Sequence, residues 1–177
     1  MTTIIIIGGR EDDSAEKLIT ERLSATYRIT YIKDGTLFVC GSGYEILCFE
    51  HESPEIIGAE NAIIVAKKNA VLPDNLPAGC TVIINSESTQ QIAAVRNNKV
   101  FAVDCGFSPT ATVSFSSEND STVVISLNRA IRALSGREIQ PLELPAEKHG
   151  SDIYSLMSYT ALRLLLDDRD SELGVLM

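Results

Sequence analysis

Apolar residues along this 177-residue chain fall into short blocks separated by glycine, proline and charged clusters. The first block, Thr3–Ile7, is β-branched, lacks polar alternation and stops at Gly8-Gly9. That pattern predicts a strand buried on both faces, central in a parallel sheet. Arg10 to Ser14 then opens a helix in which Ala15, Leu18, Ile19 and Leu23 recur at three-and-four spacing. Asp12, Asp13 or Ser14 is placed to cap its free N–H groups. Tyr27–Lys33 and Thr36–Cys40 flank Asp34-Gly35, a pair that tolerates positive φ at both positions and so predicts a tight hairpin. Tyr44–Glu50 reads as a strand closed by the polar turn His51-Glu52-Ser53-Pro54. Ala62–Ala66 and Thr81–Ile84 read as further parallel strands, with the loop Leu72–Gly79 between them. Ser86–Val95 predicts a helix capped by Ser86 or Ser88, and Val100–Val103 a strand behind it.

Beyond this point the pattern changes. Thr110–Ser116 and Thr122–Leu127 alternate around Glu118-Asn119-Asp120, as an antiparallel hairpin does. The stretch with Gly136, Pro141 and Pro145 reads as irregular, and Asn128–Arg137 as a short amphipathic helix. A last helix starts near Ser151-Asp152, buries Ile153, Leu156, Met157, Ala161, Leu164 and Leu165, and ends at Asp167-Asp168-Arg169-Asp170. Strands separated by helices, then a hairpin and a final helix, predict an α/β fold. It is a three-layer sandwich with a mostly parallel sheet and antiparallel hairpins, forming one domain over residues 1–177.

Composition narrows the function classes. With 45% hydrophobic and 22% charged residues the chain resembles an ordinary globular domain. Its longest purely apolar run, Ile4–Ile7, is far short of a membrane span, and no basic segment precedes it as in a secretory signal. A net charge of −9 sets the surface against nucleic-acid phosphates and anionic lipid. Neither nucleic acid nor membrane is therefore expected as a partner. The cysteines Cys40, Cys48, Cys80 and Cys105 form no Cys-x-x-Cys pair, and neither His51 nor His149 stands at ligand spacing from the other. Free thiols in a reducing cytoplasm are the expectation.

Candidate chemistry is sparse. A strand ending in glycines and entering a helix is where α/β proteins hold phosphates. Here Gly8-Gly9-Arg10 supplies that corner, yet Glu11, Asp12 and Asp13 place carboxylates where an anion would lie. Cys105, beside Asp104, is a candidate thiolate with His51 or His149 as base. Glu50, His51, Glu52 and Glu55 form a candidate cation cluster. Lys67-Lys68 and the set Arg129, Arg132 and Arg137 are the basic concentrations, the arginine set suited to an acidic partner or a phosphate.

Taken in order, these elements resemble the central ATPase domain of the Mur ligases, the enzymes that add amino acids to peptidoglycan precursors. In that resemblance Thr3–Ser14 answers to the phosphate strand and loop, and Ile46–Glu50 to the strand ending in a magnesium-binding glutamate. Phe49-Glu50-His51-Glu52-Ser53 resembles the family's Glu-x-Ser-Ser. Ala62–Asn69 and Val82–Asn85 answer to the strands that carry an asparagine loop and the asparagine near adenine. Thr110–Leu127 answers to the late hairpin, and His149–Leu166 to the helix that opens with His-Asn. The resemblance implies nucleotide-binding roles for Gly8, Gly9, Arg10 and Asn85 and a metal role for Glu50. The family's Gly-Thr-x-Gly-Lys-Thr/Ser is missing, no carbamylated-lysine region is identifiable, and no stretch answers to the flanking domains.

Two expectations follow. In the first, the chain is a degenerate relative without catalytic residues or cofactor, a cytoplasmic module that binds a protein or metabolite and associates as a homo-oligomer. In the second, it keeps an ATP-dependent, ligase-like or nucleotide-binding activity with Mg-ATP in an atypical phosphate loop.

Overall fold

The computed structural model describes residues 1–59, 61–148 and 150–168. These fall into two compact units, one to Ala102 and one from Val103. His149, the residues from 169 onward and with them the expected helix end at Arg169-Asp170 lie outside the described residues.

The first unit carries β1 (Thr2–Ile7), α1 (Ser14–Glu21), β2 (Tyr27–Lys33), β3 (Thr36–Cys40), β4 (Tyr44–His51), β5 (Ile63–Ala66), β6 (Thr81–Asn85) and α2 (Thr89–Asn98). Its strands lie in the order β6-β5-β1-β4-β2-β3. All are parallel except β3, which returns antiparallel to β2. The isoleucines of β1 are buried on both faces because β4 and β5 flank it and layers lie above and below. On one face Ile5, Ile7, Ile64, Ala66, Val82 and Ile84 pack with Ala94 and Val95 of α2. On the other, the Glu16–Lys33 ion pair sets α1 against β2, and α1 buries Leu18 and Ile19. A helix–sheet–helix sandwich results. The expected stripe breaks at Leu23, which is buried in a 3-10 turn, Leu23–Ala25, rather than in α1.

The hairpin at Asp34-Gly35 forms as its dipeptide dictates, with φ of 48° and 79°. Ser88 caps α2, its hydroxyl accepting from the Gln91 N–H at 3.3 Å.

The second unit begins within β7 (Phe101–Gly106) and adds β8 (Val113–Glu118), β9 (Thr122–Leu127), β10 (Ile131–Arg132), β11 (Glu138–Ile139), β12 (Leu142–Glu147) and α3 (Ile153–Leu165). β7 and β8 are parallel, whereas β9 pairs antiparallel with both β8 and β12. Three expectations are corrected here. Asn128–Arg137 is not a helix: Ile131-Arg132 pairs with Glu138-Ile139 across a turn through Gly136 at φ 87°. The stretch around Pro145 is not irregular but strand β12. Proline is tolerated there because β12 is the terminal strand of its sheet and needs no donor on its outer side. Finally, Ile153, expected to be buried, is only half-buried, whereas α3 is buried from Tyr154 through Leu165. Several of its polar members bond locally: Ser158 and Thr160 donate to the Ser155 and Leu156 carbonyls, and Arg163 pairs with buried Asp168 at 2.8 Å. No helix among the described residues is long and apolar enough to cross a membrane.

Candidate functional site

In parallel sheets, ligand crevices open at the carboxyl ends of the strands, where neighbouring connections diverge to opposite faces. Here the connections after β1 and β5 diverge: one leads to α1, the other toward β6 and α2. Strand register decides which side chains meet there. Glu50 at the end of β4 stands opposite Ile6 of β1 and Lys33 of β2. Val65 of β5 shares the row with Ile6, so Lys67, two residues on, emerges on the same face as Glu50.

The result is a buried ionic cluster. The Lys67 ammonium lies 2.8 Å from Glu50 Oε1, and Lys33 Nζ lies 2.9 Å from the same oxygen. Tyr31 donates its hydroxyl proton to Glu50 Oε2, and Lys33 also pairs with Glu16 of α1 at 2.8 Å. The Glu50 and Lys67 side chains are 2% and 4% exposed, so water contributes little to their solvation. Burial pushes the Tyr31 phenol well above its ordinary range, with the Glu50 carboxylate adding to the effect. Burial works against the Lys33 ammonium, but its hydrogen bonds to Glu16 and Glu50 outweigh that and hold its pKa above the ordinary value.

Both shifts have the same sign in stability. A group whose pKa is raised by folding contributes in full below its unfolded value and loses that contribution as pH rises. The ordinary values are 10.0 for tyrosine and 10.5 for lysine. The buried thiols of Cys48, Cys80 and Cys105, also raised from an ordinary value of 9.0, act in the same direction. The urea midpoint is therefore expected to begin falling at about pH 9 and to fall more steeply beyond about pH 10, with a shallower fall there in Tyr31→Phe. A midpoint unchanged at pH 11 would contradict this assignment.

Lys67 also fills the loop after β1. Its aliphatic stem lies against Gly8, where an added Cβ would meet Lys67 Cβ at 2.6 Å. Its ammonium donates to the carbonyl oxygens of Gly9, at 2.9 Å, and Asp12. A phosphate loop turns N–H groups toward its centre. This loop turns carbonyl oxygens inward, onto a lysine. At the start of α1 the Ser14 N–H donates to Asp12 Oδ1 at 3.1 Å, while Asp13 pairs outward with Lys17 at 2.9 Å. Arg10 points away from the corner and, half exposed, bridges Asp34 and Glu52 at 3.4 Å each.

A second crevice of about 410 Å³ opens between the loops after β5 and β6, lined by Lys68, Asn69, Asn85, Glu87 and Ser88 among others. Asn85 is engaged at both ends of its amide: it donates to the Lys68 carbonyl at 3.1 Å and accepts from the Glu87 N–H at 2.9 Å. Gln91, fully buried on α2, accepts from the Asn85 N–H at 2.8 Å and donates to the Lys67 and Ala70 carbonyls at 3.0 Å each. Residues 67–70 thus join two groups of sequence candidates. The Lys67 side chain reaches Gly8, Gly9 and Glu50, and the backbone behind it reaches Asn85.

Lys67 appeared in the sequence only as half of a basic pair, and Lys33, Tyr31 and Gln91 as strand or helix residues. The available signal was parity: a lysine two positions beyond a buried valine, at the end of an all-apolar parallel strand.

Two other candidates dissolve. His51 alternates to the face opposite Glu50, where its Nδ1 accepts from the Ser53 N–H at 3.1 Å. Among the described residues no group of three or more His, Cys, Asp or Glu side chains is arranged to hold a metal. Cys105 is fully buried, and burial together with Asp104 raises its thiol pKa, the reverse of an activated nucleophile. Asp104 is itself engaged by the Thr112 backbone and hydroxyl.

This arrangement of strands and helices is a Mur-ligase-like α/β fold. Among solved structures it is similar to UDP-N-acetylmuramoyl-L-alanyl-D-glutamate–2,6-diaminopimelate ligase, with a TM-score of 0.56 and 9% identity over 98% of this chain and 44% of that one. It is also similar to UDP-N-acetylmuramate:L-alanyl-gamma-D-glutamyl-meso-diaminopimelate ligase from Neisseria meningitides, with a TM-score of 0.51 and 7% identity over 93% of this chain and 61% of that one. The chain thus spans less than two thirds of either enzyme. No protein-family model and no curated protein matches the chain.

Proposed function

We propose that this chain is a non-catalytic Mur-ligase-like module that acts in the cytoplasm by binding a protein or metabolite. The observation that carries the reading is the Lys67 ammonium seated among Gly9 O, Asp12 O and Glu50 Oε1. A magnesium nucleotide does not fit these residues. Its phosphates need converging N–H groups, and the loop offers carbonyl oxygens instead. Its metal needs a free carboxylate, and Glu50 already accepts from two ammonium groups and a phenol. Acidic Glu11, Asp12 and Asp13 add repulsion of about 1–4 kcal/mol per like-charged contact at dielectrics between a protein surface and water. A cytoplasmic setting agrees with four free cysteines, three of them buried.

The test is isothermal titration and thermal shift of the whole chain with Mg-ATP, Mg-GTP and UDP-sugars. The expected result is no heat of binding and no change in melting temperature. Micromolar affinity accompanied by nucleotide turnover would replace this reading with an enzymatic one.

A further inference from the structure

We infer that the chain forms a two-fold homodimer by antiparallel pairing of β3 with β3 of a second copy. The inference goes beyond the proposed function and does not depend on whether a nucleotide binds. β3 ends its sheet, with β2 as its neighbour on one side only. Edge strands are normally guarded by proline, charge or a bulge. In the second unit, the terminal strand β12 carries such guards in Glu143, Pro145 and Glu147. β3 is Thr36-Leu37-Phe38-Val39-Cys40, with no charge and no proline, and its pairing with β2 runs without a register break. Leu37 and Val39 are 62% and 50% exposed.

The turn fixes which backbone groups are free. In a two-residue hairpin the residues flanking the turn form a hydrogen-bonded pair. Lys33/Thr36, Tyr31/Phe38 and Ile29/Cys40 therefore exchange bonds, and the N–H and C=O groups of Leu37 and Val39 face outward. One antiparallel register uses all of them: Leu37 opposite Val39 of the second copy, with Phe38 on the two-fold axis. In that register the leucines and valines of both copies form one apolar cluster, on the face that also carries half-exposed Phe49. On the opposite face Phe38, stacked on Tyr31 at 5.2 Å between centroids, meets its own copy and lengthens the aromatic row. Charges do not collide. The end near Lys33 and Asp34 meets the uncharged Gly41-Ser42-Gly43 end of the second copy. A pair of five-residue strands buries less than the roughly 1,200 Å² of a standard interface, so the association is reversible. Each copy contributes β3, the unguarded terminal strand among the described residues, and the pairing closes after two copies.

Sedimentation velocity and light scattering across a concentration series test the inference, together with hydrogen exchange of the Leu37 and Val39 amides. Wild type is expected to shift from monomer to dimer as concentration rises, with those two amides slowing in parallel. Val39→Lys, an exposed position, is expected to keep its circular dichroism and weaken dimerisation by about tenfold or more, since each tenfold corresponds to about 1.4 kcal/mol. A monomer at the highest soluble concentration overturns the proposal. So does an open-ended aggregate, or a dimer that survives Val39→Lys with unchanged exchange at Leu37 and Val39.

Discussion

Lys67→Met is expected to destabilise the chain by about 3 kcal/mol, at the low end for a broken buried ion pair because Lys33 remains on the carboxylate. Methionine keeps the stem against Gly8 and removes only the charge, so packing changes little. What is lost is the donor to three oxygens: Gly9 O, Asp12 O and Glu50 Oε1. The two carbonyls lose their ammonium, and Glu50 Oε1, on a residue 3% exposed, keeps only Lys33, which it shares with Glu16. Adding Glu50→Gln removes the surplus negative charge, so the double variant is expected to be more stable than the sum of the two single losses implies. Urea denaturation with an unchanged m-value checks both points. A single-variant loss below about 1 kcal/mol, the size of an exposed pair, would mean that the cluster is solvated rather than sealed.

The second large effect separates two adjacent glycines. Gly8 has φ 147°, and a methyl group there would lie 2.6–2.9 Å from three carbons of Lys67. Gly8→Ala combines backbone strain with displacement of the buried lysine stem, a loss of about 2–4 kcal/mol. At Gly9 an added Cβ meets nothing within 4 Å. Gly9→Ala is expected to stay within about 0.5 kcal/mol of wild type. Equal effects at the two positions would show that the lysine does not pack where the structure has it. The Gly8-Gly9 pair looks like the opening of a phosphate loop, but Gly8 makes room for an aliphatic chain.

The fold was legible where local chemistry and burial agree. The Thr3–Ile7 run, the Asp34-Gly35 turn and the Asp152 cap of α3, whose Oδ1 accepts from the Ser155 N–H at 3.1 Å, each act over a few residues. The misreadings fell where distant pairing overrides a local pattern. Ala130, Ile131, Ala133 and Leu134 have helical spacing, yet Ile131 and Arg132 find strand partners in Ile139 and Glu138 beyond Gly136. Pro145 argues against a strand until β12 is seen to have a partner on one side only. For the candidate site, the sequence named Gly8, Gly9, Arg10, Glu50 and Asn85 as positions. It did not name their chemistry, because Lys67 is 17 residues from Glu50 and 58 from Gly9. Register between three strands brings these together, and no sequence window contains it.

By itself the sequence determined the order of strands and helices in the first unit, the tight β2–β3 turn, the absence of a phosphate-loop lysine motif and the acid-rich start of α1. These depend on backbone preferences and charges of neighbouring residues, which act without knowledge of the rest of the chain. Only the tertiary structure decided that Glu50 faces two ammonium groups, that Arg10 pairs with Asp34 and Glu52, and that the lysine just after β5 seals the loop after β1. The reason is geometric. Parallel alignment sets side chains from separate strands on one face at one end of the sheet, and burial then obliges each charge to find its counterpart there.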